Sequence, residues 1–133
     1  MKRIKTAVLG LLLVAGVAQA NWVHLHTNKK GDVVYIEDDS MTENNDDDQI
    51  IQAWLVINLK RPMIINDKEA YSMTAQYEFE CHEKLTRMLK GAAFSEHDLE
   101  GDDVGFDGRA ERVYQEPKKG TSEYYAMKWV CED

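Results

Sequence analysis

From residue 22 the apolar and polar positions fall into short alternating runs, which predict strands. Trp22, His24 and His26 alternate with Val23 and Leu25, and Asn28-Lys29-Lys30-Gly31-Asp32 is a turn signal. Val33-Val34-Tyr35-Ile36 follows as a second strand and completes a hairpin. The stretch from Asp38 to Asp48 is polar and reads as loop with room for one helical turn. Ile50 to Leu59 is apolar on both faces, the mark of a central strand covered on both sides. Pro62 and Asn66-Asp67 break the pattern. From Ala70 to His82 the alternation is clean: Met73, Ala75, Tyr77, Phe79 and Cys81 face one way, and Ser72, Thr74, Gln76, Glu78, Glu80 and His82 the other. A fifth strand, Leu85 to Phe94, pairs back antiparallel, and Gly101, Gly105 and Gly108 supply turns before a short sixth strand, Arg109 to Gln115.

The period changes at the end of the chain. After Pro117 and Gly120, Thr121 or Ser122 can cap a helix running to about Cys131, with Glu123 in its first turn. At 100° per residue, Tyr124, Met127, Val130 and Cys131 share a face that should lie on the sheet. Tyr125 and Trp129 lie four apart on another face, either as core at the helix edge or as an exposed contact patch. The fold class is α+β: an antiparallel sheet of five to six strands with a short C-terminal helix.

Residues 1–20 have a different character. Lys2, Arg3 and Lys5 precede an apolar run from Ala7 to Val17, and Ala18-Gln19-Ala20 is a small-x-small cleavage signature before Asn21. The run is well short of the roughly 20 residues of a spanning helix. Residues 1–20 therefore read as a cleaved signal peptide and 21–133 as one domain, exported to the periplasm, the cell surface or the medium. No cysteine stands at or near position 21 to accept a lipid. Export in turn decides the two cysteines: in an oxidising compartment an even count leaves none unpaired, so Cys81 and Cys131 should form a disulfide that tethers helix to sheet.

The net charge of the whole chain is −8, and loss of the three basic leader residues takes it to −11. Nucleic acid and anionic lipid are poor partners for such a surface. Acidic residues cluster at Glu37-Asp38-Asp39, at Glu43 with Asp46-Asp47-Asp48, from Glu96 to Glu100, and at Asp102-Asp103, as solvated loops do. The Asp98 to Asp107 region lacks the ligand order of an EF-hand and reads as a flexible acidic hairpin. His24 and His26, two apart on a strand, share a face and could chelate a metal in principle, but no third ligand can be placed. No nucleophile elbow, phosphate loop, dinucleotide fingerprint or zinc-protease helix occurs. The expectation is a non-enzymatic protein with no catalytic residue, cofactor or metal. Against the acidic background, Lys60-Arg61 stands out as a basic pair that could engage an acidic partner, or simply solubilise a loop. Tyr125 and Trp129 are the other candidate contact residues.

The order Trp22, Val34-Tyr35-Ile36-Glu37, Ala53-Trp54, Ser72, Glu78-Phe79-Glu80-Cys81 and terminal Val130-Cys131 resembles the surface-adhesin protein E domain of Gram-negative bacteria. The resemblance covers nearly all of 21–133. Where the family commonly has Tyr-Asp-Cys this chain has Phe79-Glu80-Cys81, and Glu37 or Asp38 takes the place of the common strand-two Asp. The resemblance implies an antiparallel sheet with a C-terminal helix tied to its concave face by the disulfide. For the founding member it implies a surface dimer that binds host extracellular-matrix and serum proteins. That member resembles a lipoprotein, and no ligand-binding motif carries over residue by residue. The functional expectation is an exported, adhesin-like binding protein whose partner is a host matrix or serum protein or an envelope protein, with a homodimer possible. A soluble periplasmic module that binds an envelope component or small ligand, or inhibits an enzyme, is the alternative.

Overall fold

The computed structural model describes residues 21–43, 50–106 and 109–132. The leader reading of 1–20 and the acidic run 46–48 lie outside the described residues. Six strands, β1 (Trp22–Thr27), β2 (Val33–Glu37), β3 (Thr42–Glu43), β4 (Ile50–Ile65), β5 (Lys68–Glu80) and β6 (Leu85–Phe94), precede one helix, α1 (Ser122–Cys131). Every pairing is antiparallel, in the order β1-β2-β4-β5-β6. β3 pairs with β4 beyond the end of β2, so the two short strands share one flank of β4. β4 is central as its two apolar faces require, with Leu55 1% and Val56 0% exposed on opposite sides.

Between β2 and β3 a 3-10 turn, Asp38–Ser40, interrupts the flank. The Ser40 hydroxyl fills the gap in the ladder: it donates to Glu37 O and accepts from the Trp54 backbone N–H at 3.0 Å. Ser40→Ala strands that N–H, so we expect a loss of about 1–2 kcal/mol in urea unfolding, with Ser40→Thr largely retaining stability. An Ala variant as stable as the parent would rule the hydroxyl out as the bridge.

The helix forms where the period changes. Thr121 is its N-cap, accepting from the Tyr124 N–H, and Glu123 lies in the first turn. Its buried residues are Ala126, Met127 and Val130, packed on Ile36, Ile51, Ala53, Leu55 and Phe79. The buried face is thus centred on Val130, with Ala126 and Met127 to either side, and is turned from the expected face so that Tyr124 and Cys131 sit half-buried beyond its Met127 edge. Cys81, one residue past β5, is bonded to Cys131, the last residue of α1. A smaller core, Ala70, Ala93 and Val104 with Ile65, Met73 and Phe106, closes the other end of the sheet.

Four expectations are corrected. β4 does not stop before Pro62 but runs to Ile65, where Asn66 and Asp67, both at positive φ, make a two-residue hairpin to Lys68. Residues 109–115 form no strand; their backbone meets that of β6 at a Thr86–Gln115 bridge and through Glu111 N–H to Met88 O, and side chains of Glu111 and Arg87 add bonds to Met88 N–H and Arg112 O. A bend at Arg112-Val113, between those two points, carries Tyr114 across Arg87 and interrupts the pairing. His24 and His26 do not share a face. A register shift sets His24 opposite Tyr35 and His26 opposite Val34, consecutive residues of β2 on opposite faces. The acidic segment after β6 is docked rather than free. Ser72, 0% exposed, donates to Glu96 O and accepts from Leu99 N–H, while Asn58 and Asp98 exchange two hydrogen bonds of 2.8 Å.

Candidate functional site

The site with the most pronounced chemistry grows out of an irregularity in β4. Asn58 pairs with Ser72 and Met63 with Ala70, so Leu59, Lys60, Arg61 and Pro62 all lie opposite Tyr71 alone. This wide bulge explains how a proline sits inside a long strand: no ladder hydrogen bond is asked of its nitrogen. The bulge is held from two sides. Lys60 N–H donates to Asp32 Oδ1 at 3.0 Å, and His97 Nε2–H donates to Leu59 O at 2.8 Å.

The second wall is the β1–β2 turn. Asn28 closes it, its Oδ1 accepting from the N–H groups of Lys30 and Asp32 and its Nδ2 donating to Asp32 Oδ2. Gly31 has φ +95°, and a Cβ there would fall 2.7 Å from Lys60 Cδ, so the turn lies directly on the Lys60 side chain. Between turn and bulge is a cleft of about 680 Å³ lined by Lys29, Lys30, Asp32, Leu59, Lys60, Arg61, Pro62 and Met63. Met63 is 44% and the neighbouring Ile64 63% exposed. The expected pair Lys60-Arg61 is therefore joined by Lys29-Lys30, which the sequence marks only as turn residues. No ion pair engages any of these four cations among the described residues. Both oxygens of Asp32, the one acid in the lining, are engaged by Lys60 N–H and Asn28 Nδ2.

The other candidate pair is elsewhere, at the edge where α1 meets β1. Tyr125 is half-buried and stacked on His26, with centroids 3.9 Å apart and planes 14° from parallel. Trp129, also half-buried, packs on the main core. Both side chains contribute to packing and keep part of their surface open, in a shallow groove with His24, Leu25, Lys128 and Glu132. Neither residue lines the basic cleft, but Tyr125 shares an adjoining pocket with His26, Lys29 and Lys30.

A third constellation lies on the sheet face away from the helix and could not be read from the alternation, which puts Glu78 among outward-facing polar residues. Glu78 is 8% exposed. Its Oε1 accepts from Arg87 Nε at 2.9 Å and from the Tyr114 hydroxyl at 2.7 Å, and its Oε2 from Gln52 Nε2 at 3.0 Å. Burial pushes this carboxyl up, but the hydrogen bonds from Tyr114, Gln52 and Arg87 and the Arg87 charge outweigh it and hold Glu78 below the usual carboxylate range. Burial, with the bond to Glu78, pushes the Tyr114 hydroxyl up to about 12. Gln52, Tyr114 and the Nε and Nη2 of Arg87 are spent on Glu78 and Arg87 Nη1 on Arg112 O, which marks the group as a structural lock on the 109–115 segment.

Among the described residues no helix is long and apolar enough to cross a membrane. Comparison with solved structures finds Haemophilus influenzae protein E repeatedly. One structure has a TM-score of 0.66 at 18% identity, covering 91% of this chain and 90% of that one. A second crystal form gives 0.68 at 17%, covering 93% and 96%. Protein E from non-typeable Haemophilus influenzae gives 0.64 at 17%, covering 92% and 82%. At such identity these likenesses speak for the fold. Among curated proteins none matches the sequence. The family model described as Surface-adhesin protein E matches residues 22–132, from the first residue of β1 to the residue after Cys131, and the chain belongs to that family.

Proposed function

We propose that this chain is an exported, non-enzymatic, adhesin-like protein that makes protein–protein contacts at the bacterial envelope or cell surface. Its working part is the domain at 21–133, behind a cleaved leader at 1–20. The observation that carries this reading is the family match across the whole domain. The partner is a host matrix or serum protein, or another envelope protein; Lys60, Arg61, Tyr125 and Trp129 are the contact residues offered. Association into a homodimer belongs to the same reading and is checked by sedimentation at micromolar concentration.

Location tests the reading most directly. Protease added to intact cells should digest the protein, and the purified protein should bind immobilised matrix or serum proteins. A chain that survives on intact cells and is cut only after the outer membrane is permeabilised would sink the surface role and favour a soluble periplasmic module.

A further inference from the structure

Building on the reading of this chain as a binding protein, we propose that the cleft between the Asn28–Asp32 turn and the Leu59–Pro62 bulge is its partner site, and that it takes a short acidic peptide segment with apolar residues between its carboxylates. Lys29, Lys30, Lys60 and Arg61 are four of the sixteen basic residues in a chain of net charge −8, and they converge on one cleft. Gathering four like charges around a single acid is unfavourable for folding, so the cluster is best accounted for by what it attracts. Asp32 offsets only one of the four charges; its Oδ1 ties the turn to the bulge through Lys60 N–H and its Oδ2 is held within the turn by Asn28, which leaves three cationic charges in excess. Arg61 supplies a fork for bidentate carboxylate recognition and the lysines supply mobile point charges.

The cleft is not purely polar. Leu59, Pro62 and Met63, the last 44% exposed, line it as an apolar margin that a bare polyanion would leave unused. An extended segment alternating carboxylates with leucines satisfies both surfaces, since its side chains alternate at the period of a strand. The surrounding acidic surface argues for a short ligand. A long polyanion or an anionic membrane meets the repulsion of the whole chain, whereas a segment of a few residues stays within about one Debye length, ~10 Å, of the cleft cations.

The probe is a fluorescein-labelled five-residue peptide alternating Asp or Glu with Leu, titrated against the purified protein by anisotropy. Saturable binding is expected, weakening severalfold between low and physiological salt, and absent for the same peptide with Lys in place of each acid. K60E/R61E and K29E/K30E should each weaken binding about tenfold or more, with an unchanged melting temperature. K29E/K30E decides the matter if K60E/R61E fails to fold, because Lys29 and Lys30 are exposed turn residues. Failure of the acidic peptide to bind would overturn the proposal. So would binding that survives K29E/K30E, or anionic vesicles bound in place of the peptide. Peptide binding by a protein that external protease cannot reach supports the cleft while ending the surface role. A surface-exposed protein with no affinity for the peptide overturns the cleft and leaves the surface role standing.

Discussion

Cys131→Ala is expected to melt roughly 15 °C below the parent, the largest single effect anticipated for this chain. The bond to Cys81 closes a loop of 50 residues, and the chain-entropy model gives about 4 kcal/mol for a loop of that length. A domain of this size converts each kcal/mol into roughly 4 °C of melting temperature. The position of the bond gives the loss a local outlet. A ten-residue helix is marginal in water, and α1 holds its place by burying only Ala126, Met127 and Val130. Without the tether the helix can fray from the sheet and expose Ile36, Ala53 and Phe79, which it covers. Reduction of the parent by dithiothreitol should reproduce the variant, and Cys81→Ala/Cys131→Ala should be no less stable than either single change. A melting temperature within a few degrees of the parent would mean that packing alone holds the helix.

How much of this was legible beforehand divides by range. The strand period put Cys81 with Phe79 and Tyr77 on the core face, and the helical period put Cys131 with Met127 and Val130; export supplied the reason to join them. Each inference needs only neighbours in the chain. The bulge at Leu59–Pro62 needs more. Pro62 is locally a strand breaker, and it is tolerated because Asp32, 28 residues before Lys60, and His97, 38 after Leu59, hold the backbone groups that the ladder releases. His26 turns toward Tyr125 through a one-residue register shift that the alternation of Trp22, His24 and His26 cannot reveal. The site was half legible for the same reason. Lys60-Arg61 stood out as a charge anomaly, whereas Lys29-Lys30 acquired meaning only when the Gly31 turn came to rest on Lys60.

Glu78 is the case where a rule of local pattern fails and tertiary partners explain why, and its removal carries the second large effect. In an alternating strand a glutamate belongs to the solvent face, yet this one collects Arg87 from β6, Gln52 from β4 and Tyr114 from a segment 36 residues on. Glu78→Ala leaves a guanidinium, a hydroxyl and an amide without their acceptor. The cost should be about 3 kcal/mol, near the low end for breaking a buried pair, because the Arg87 side chain is 30% exposed and water recovers part of its solvation. The pH dependence separates the charge from the packing. Since the folded state holds Glu78 below its unfolded value, near 4.3, its stabilisation is complete above that value and disappears as pH falls through the lowered folded one. Glu78→Gln keeps the shape and removes the titration, so the stability gap between parent and E78Q should be widest near pH 7 and close steadily on acidification below pH 5. Urea unfolding at pH 7, 5, 4 and 3 measures it. A gap that stays constant to pH 3 would show that Glu78 acts by shape alone, and the ion pair with Arg87 would then have no part in pinning the 109–115 segment to the sheet.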